Sequence, residues 1–205
     1  MGVVADEMVR LALQEWETFG LSTRNLNNQW NIVGNESNEP YRSHIRRYWV
    51  TVGQPDYNGA TPEPWSGAFI SWCFVTAEAG AAFRPHGKHS RYINWIRRQD
   101  GTSPLLRLRP PSRSVASGDL IWNARGANTP SDYDEAVAHL EAGDFFISHV
   151  DIVVAVRVGE CDSVGGNVHP EPVGGSVVRS TWRLDQDGAL ADDRKTWLGV
   201  VKNGL

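Results

Sequence analysis

The stretch WSGAFISWCFVTAEA, residues 65–79, decides the fold. It is too long for one strand, and Phe69, Trp72, Cys73 and Thr76 recur on one helical face. Pro64 stands where a proline suits a helix entrance, and Gly80 ends the run. A helix this apolar belongs at the centre of a core. Its counterpart is FISHVDIVVAVRV, residues 146–158. There Ser148, Val150, Ile152, Val154, Val156 and Val158 alternate with a second face made of Ile147, His149, Asp151, Val153 and Ala155, the period of a strand.

Working outward, Val4, Met8, Leu11 and Phe19 predict a first helix, and Ile45, Tyr48, Trp49 and Val52 a second, from Pro40 to Gly53. Short helices are expected over 90–98 and 131–142. Asn25 to Asn38 reads as an irregular loop, and Gln54 to Pro64 has turn chemistry throughout. Further strands are expected over 105–109, 119–122, 163–168, 176–184 and 196–202. Helices first and strands afterwards predict an α+β domain, with a central helix packed on an antiparallel sheet of about five or six strands. The whole of 1–205 reads as one domain, with 1–40 as an N-terminal helical extension and 41–205 as the core.

Composition excludes several classes. Twenty Lys and Arg against 24 Asp and Glu leave a net charge of −4, which makes no electrostatic case for nucleic acid. No apolar run reaches the ~18 residues of a membrane span. The N-terminus, MGVVADEMVRLALQEWE, carries acids where a signal peptide carries bases. The expectation is a protein cytoplasmic as made, reaching any cell-wall target through a dedicated secretion machine or a phage lysis route. Two cysteines, Cys73 and Cys161, make neither a disulfide framework nor a complete zinc site.

Three groups of residues carry candidate chemistry. Ser66 stands at the mouth of the apolar helix, where the helix dipole and unpaired N–H groups can stabilise an oxyanion; a serine there is also a common helix cap. His149 and Asp151, two apart on a strand, share a face. Buried unpaired they would cost several kcal/mol, so they pair, open onto a site, or are wet at the strand's start. Their spacing could also supply two metal ligands, but nothing at typical spacing completes a site. Asn167, in Gly165-Gly166-Asn167-Val168, is expected beside His149 on the neighbouring strand, where an asparagine can orient an imidazole; its alternative is a turn residue. Nine tryptophans are unusual, and Trp65 beside Ser66 is a candidate for stacking on a ligand.

The order of these pieces resembles the papain-like peptidoglycan hydrolases, the CHAP and NlpC-type amidases and peptidases. Pro64-Trp65-Ser66-Gly67-Ala68-Phe69 resembles their segment around the catalytic cysteine. Gly118-Asp119-Leu120-Ile121 resembles the strand that follows, and His149-Val150-Asp151-Ile152 the strand of the catalytic histidine. A nearer resemblance is to the bacterial domain of unknown function 2272, through the Trp-Ser pair and His89-Ser90-Arg91-Tyr92-Ile93, over residues 41–201. The resemblance implies a cell-wall hydrolase that cleaves an amide bond of peptidoglycan. Ser66 would be the nucleophile, His149 the base, Asn167 or Asp151 its orienter, and Trp65, His89 and Tyr92 substrate contacts. No cofactor is implied; an immunity or secretion protein is the conceivable partner. The departure is Ser66 itself, which stands where the hydrolases carry cysteine. It leaves three readings open: a working serine site, a non-catalytic peptidoglycan- or peptide-binding module, and an inactivated form of a cysteine amidase.

Overall fold

The computed structural model describes residues 2–100, 105–170 and 174–205. Five α-helices occur among them: α1 (Val3–Thr18), α2 (Tyr41–Thr51), α3 (Ser66–Thr76), α4 (His89–Gln99) and α5 (Tyr133–Ala142). The strands are β1 (Thr23–Arg24), β2 (Trp30–Asn31), β3 (Leu106–Arg109), β4 (Leu120–Ala124), β5 (Ser148–Arg157), β6 (Glu160–Val168), β7 (Ser176–Arg183) and β8 (Trp197–Asn203). They form one sheet in the order β2-β1-β7-β6-β5-β4-β8-β3. Pairing is antiparallel except between β1 and β7.

The mixed α+β class and the five expected helices are present, and each expected strand has its counterpart. The sheet is larger than the expected five or six strands. The difference is β1 and β2, which lie at one edge and close on each other across the Asn-rich segment read as a loop. Two residues are too few for any period to register. The same pair means that residues 1–40 supply strands as well as a helix, and α1 buries Met8, Leu11 and Ala12 in the main core.

Burial follows the patterns that made the elements. α3 is covered almost all round, with Ala68, Phe69, Ile70, Cys73 and Phe74 fully buried. It packs on β5 and β6 and is flanked by α1 and α2. Tyr48 of α2 meets Phe69 edge to face at 5.4 Å, and Phe74 stacks on Phe83 at 3.9 Å. Val150, Ile152 and Val154 of β5 join this helical side, whereas Val153 joins Ile121, Cys161, Trp182 and Val200 on the other side of the sheet. The α1–α2 contact is fixed by a buried carboxylate. Glu15 accepts from Tyr48 and Arg47 and lies 2.7 Å from the His44 ring. Burial pushes its pKa up, but these partners outweigh that and hold it below the usual range.

The Gly-Asp strand start has a structural role. Asp119 is buried, accepts from the N–H groups of Ala116 and Asn203, and pairs with Lys202. It clasps the last strand to β4.

The close approach of α3 to the sheet depends on two consecutive glycines in β6. Neighbouring residues of a strand face opposite ways. A Cβ on Gly166 would come within 2.6 Å of the Trp65 ring and 2.7 Å of Phe69. A Cβ on Gly165 would lie 1.8 Å from an Asp151 oxygen and 3.0 Å from His149 Nε2. One glycine admits the helix and the other admits the His149–Asp151 pair. Gly166→Ala should therefore destabilise the fold by about 1–3 kcal/mol, the usual cost of overpacking. Urea unfolding checks this, and an unchanged midpoint would refute the packing argument.

Candidate active site

Ser66 is the first residue of α3, yet its hydroxyl does not cap the helix: Trp65 is the N-cap, and no side-chain cap bond is made. Instead Ser66 Oγ lies 2.7 Å from His89 Nε2. His89 is the first residue of α4, and its Nδ1 lies 2.5 Å from the Tyr92 hydroxyl. The spacing of His89 and Tyr92, three residues apart, puts both on one face of α4. What brings α4 to α3 is a bare backbone contact. A Cβ on Gly67 would lie 2.3 Å from the carbonyl oxygen of Gly87, so only glycine lets the chain before His89 lie against the first turn of α3.

A second histidine stands beside the first. The rings of His89 and His149 meet edge to face, with centroids 5.6 Å apart. His149 Nε2 lies 2.8 Å from Asp151 Oδ1, and the other Asp151 oxygen accepts from Ser163 at 3.0 Å. Ser163 in turn accepts from the Trp182 indole. An ionised Asp151 places the proton on Nε2, so Nδ1 is a bare acceptor. That atom is buried and has no hydrogen-bond partner. Asn123, opposite His149 in register on β4, likewise leaves its Oδ1 unpaired.

The expected residues are thus distributed as follows. Ser66, His89, Tyr92, His149 and Asp151 come together. The histidine bonded to Ser66 is His89, which sequence reading had made a substrate contact, and not His149. Of the two expected orienters of His149, it is Asp151 and not Asn167 that meets the ring, because the Gly165 gap lets the aspartate fold back along its own strand. Asn167 makes no hydrogen bond with His149. It sits in a bulge of β6 with a left-handed φ of 58°, its side chain over Gly175, and its carbonyl accepts from Arg125. Trp65 is fully buried, with its ring against Tyr48 and its indole N–H donated to Glu36 at 2.6 Å. It has no open face on which a ligand could stack. The second oxygen of Glu36 accepts from the N–H of Gly175 at 2.9 Å. Tyr92 is also buried and lies behind His89. Both cysteines are free and buried, and burial pushes the thiol of Cys161 up to about 12 and that of Cys73 well above its usual value. Among the described residues no group of three or more His, Cys, Asp and Glu is arranged to hold a metal ion.

Ser66 lies between two clefts. One, of about 520 Å³, is lined by Trp49, Val52, Tyr57, His89 and Phe146 among others. The other, of about 240 Å³, is lined by Glu36, Glu63, Arg125, Asn167 and His169. Both include Ser66 in their walls.

A family model described as an uncharacterized protein conserved in bacteria, DUF2272, matches residues 24–203. The chain belongs to the DUF2272 family. No curated protein and no solved structure matches it. The matched span of this DUF2272 chain begins at β1 and takes in the two edge strands together with the Ser66, His89 and His149 positions. No helix among its described residues is long and apolar enough to cross a membrane.

Electrostatics hold both histidines of this DUF2272 chain toward the neutral form and Asp151 toward the ionised one. Burial, reinforced by His149 and Arg125, holds the His89 pKa well below its ordinary 6.5. Burial likewise lowers that of His149, against the opposing pull of Asp151. Asp151 is pushed up by burial, but His149 and Ser163 outweigh this and keep it ionised. Burial raises the Tyr92 phenol.

The depressed histidines give a linkage prediction. Each is deprotonated in the folded state below the pH at which the unfolded chain takes up a proton. Their contribution is complete above about 6.5 and is lost as pH falls from there through the folded values. Stability from urea titrations should fall between about pH 6.5 and 5, by up to ~1.4 kcal/mol per pH unit for each proton. His89→Gln should reduce that slope; an identical slope would show that His89 is not held neutral.

Proposed function

We propose that this protein is a hydrolase that cleaves an amide bond through Ser66, with His89 as the base that takes its proton. The observation that carries the reading is the 2.7 Å contact between Ser66 Oγ and His89 Nε2 at a helix N-terminus. A serine hydroxyl becomes nucleophilic only with an adjacent base, and a neutral, buried imidazole is one. With Nε2 accepting from Ser66, Nδ1 carries the proton and donates to the Tyr92 oxygen, which fixes the tautomer and the ring orientation. Ser66 Oγ attacks the carbonyl carbon while its proton passes to His89. The oxyanion that forms meets backbone N–H groups at the start of α3. His89 then hands the proton to the departing amine, leaving an ester on Ser66 that water cleaves by the reverse relay.

His149 and Asp151 form the second half of the site. The bare Nδ1 of His149 can accept a hydrogen bond from the substrate or from the attacking water, and the Asp151 carboxylate stabilises any proton the ring takes up. The likeness to the CHAP and NlpC-type peptidoglycan hydrolases rests on a nucleophile at a central helix mouth, a histidine on a facing strand and a polar residue on the next. It supports peptidoglycan as the substrate and a papain-like core as the fold. In those enzymes the strand histidine is the base, so His149 as base is the second reading, favoured by its unpartnered Nδ1.

Digestion of purified peptidoglycan, followed by mass spectrometry, tests the proposal. The wild-type chain should create new amine and carboxyl termini. Ser66→Ala and His89→Ala should each lower the rate on the order of a thousand-fold, and the double variant little further. If His149→Ala matches Ser66→Ala while His89→Ala retains most activity, the base is His149. Ser66→Cys should fall below wild type if serine is the working nucleophile. A rise from near zero would mark the site as an inactivated cysteine site. Wall binding with no new termini from either chain would replace the hydrolase by a binding module.

A further inference from the structure

A third cleft, of about 330 Å³, lies on the far side of His149 and Asp151 and shares Arg125 and His169 with the polar cleft at Ser66. Its walls carry Arg24, Arg125 and Lys195 against the single carboxylate of Asp151. Arg125 is engaged with the Asn167 carbonyl and the His169 ring. The other two cations are differently placed. Arg24 is only 6% exposed. Its guanidinium is sandwiched between Trp30 and Trp182, at 4.9 Å from each ring centroid. Its Nε donates to Asn28 at 2.7 Å, and its two Nη groups have no hydrogen-bond partner among the described residues. Lys195 lies on the cleft wall with neither a hydrogen bond nor an ion pair among the described residues.

Holding a guanidinium in this way is costly unless something answers its charge. Arg24 loses water to two indoles, and the two carboxylates that act on its charge, Asp192 and Asp151, are committed to Arg194 and to His149 and Ser163 respectively. The indoles and Asn28 lock the plane of the guanidinium, so the Nη pair is presented as a fixed fork with Lys195 as a second donor on the same cleft. We propose that this cleft is a carboxylate-binding site, which receives an acidic side chain or a free C-terminus of a peptide ligand. A planar, singly charged carboxylate matches the two-pronged edge. A phosphate dianion can also take two bonds from a guanidinium edge, but it carries more charge toward Asp151. That the carboxylate belongs to the molecule whose amide is cut rests on the hydrolase reading; the binding itself does not.

The test is a binding measurement on the full chain carrying Ser66→Ala, so that turnover plays no part. N-acetylglycine is titrated while the Arg24 Nε–H and the indole N–H signals of Trp30 and Trp182 are followed by NMR. A saturable shift is expected, and it should be absent with the neutral N-acetylglycinamide. Lys195→Met, at the open wall of the cleft, should weaken the binding about tenfold without altering the fold, as loss of one charge-assisted contact requires. Arg24→Lys should abolish the shift of the indoles. Inorganic phosphate binding as tightly as N-acetylglycine would overturn the assignment in favour of a phosphate site. Equal binding of the amide, or no saturable shift, would overturn it altogether. Failure of the chain to cleave peptidoglycan would leave this result standing and refute only the hydrolase.

Discussion

Everything at the centre of this molecule depends on a gap in a β-strand. Gly165 and Gly166 leave β6 without side chains on either face, at the one place where helix α3 and the His149–Asp151 pair must both come close. A side chain on the helical side would push Phe69 and Trp65 outward and carry Ser66 with them. A side chain on the other side would occupy the space of the Asp151 carboxylate. The sheet is thin there by necessity, and the two halves of the candidate site meet around that thinness. Gly67 repeats the device at the helix end, where backbone rests on backbone and His89 is delivered to the serine.

Much of this was legible in the residues alone. The all-round apolarity of 65–79 and the alternation of 146–158 gave the helix and the strand on which the rest is built, because burial imposes those periods directly. Ser66 and the His149–Asp151 pair stood out as polar groups in apolar surroundings, and the structure brings them into one neighbourhood. The Ser66–His89 contact was hidden, because it arises from a contact between Gly67 and Gly87 that leaves no periodic trace. The nearest signal was the His-x-x-Tyr spacing, which puts His89 and Tyr92 on the same helical face. The two edge strands escaped for want of length. Gly165 and Gly166 fall inside the strand expected over 163–168, but the pattern does not show that they open both faces of the sheet, since glycine signals both a turn and a close approach. Trp65 stands out as a candidate for stacking on a ligand only because of its neighbour. The turn from loop into helix points the two side chains apart, one to the cleft and one to the core.

The site separates two imidazoles by the kind of partner each is given. His89 meets two hydroxyls, and burial with no counter-charge keeps it neutral. His149 meets a carboxylate, which offsets part of the same burial and readies its ring to hold a proton. Two like groups with centroids 5.6 Å apart are thereby given different affinities for a proton.

Glu36 has a mechanical meaning. One of its oxygens holds the Trp65 indole at the mouth of α3, and the other holds the Gly175 backbone as the chain enters β7. Its own N–H donates to the Gly175 carbonyl, and Ser176 is hydrogen-bonded to the carbonyl of Gly34. Three segments far apart in the chain are in this way riveted through one side chain at the rim of the polar cleft. Bending any one of them would break a bond to the others, so the wall of the cleft beside Ser66 is held from three directions at once.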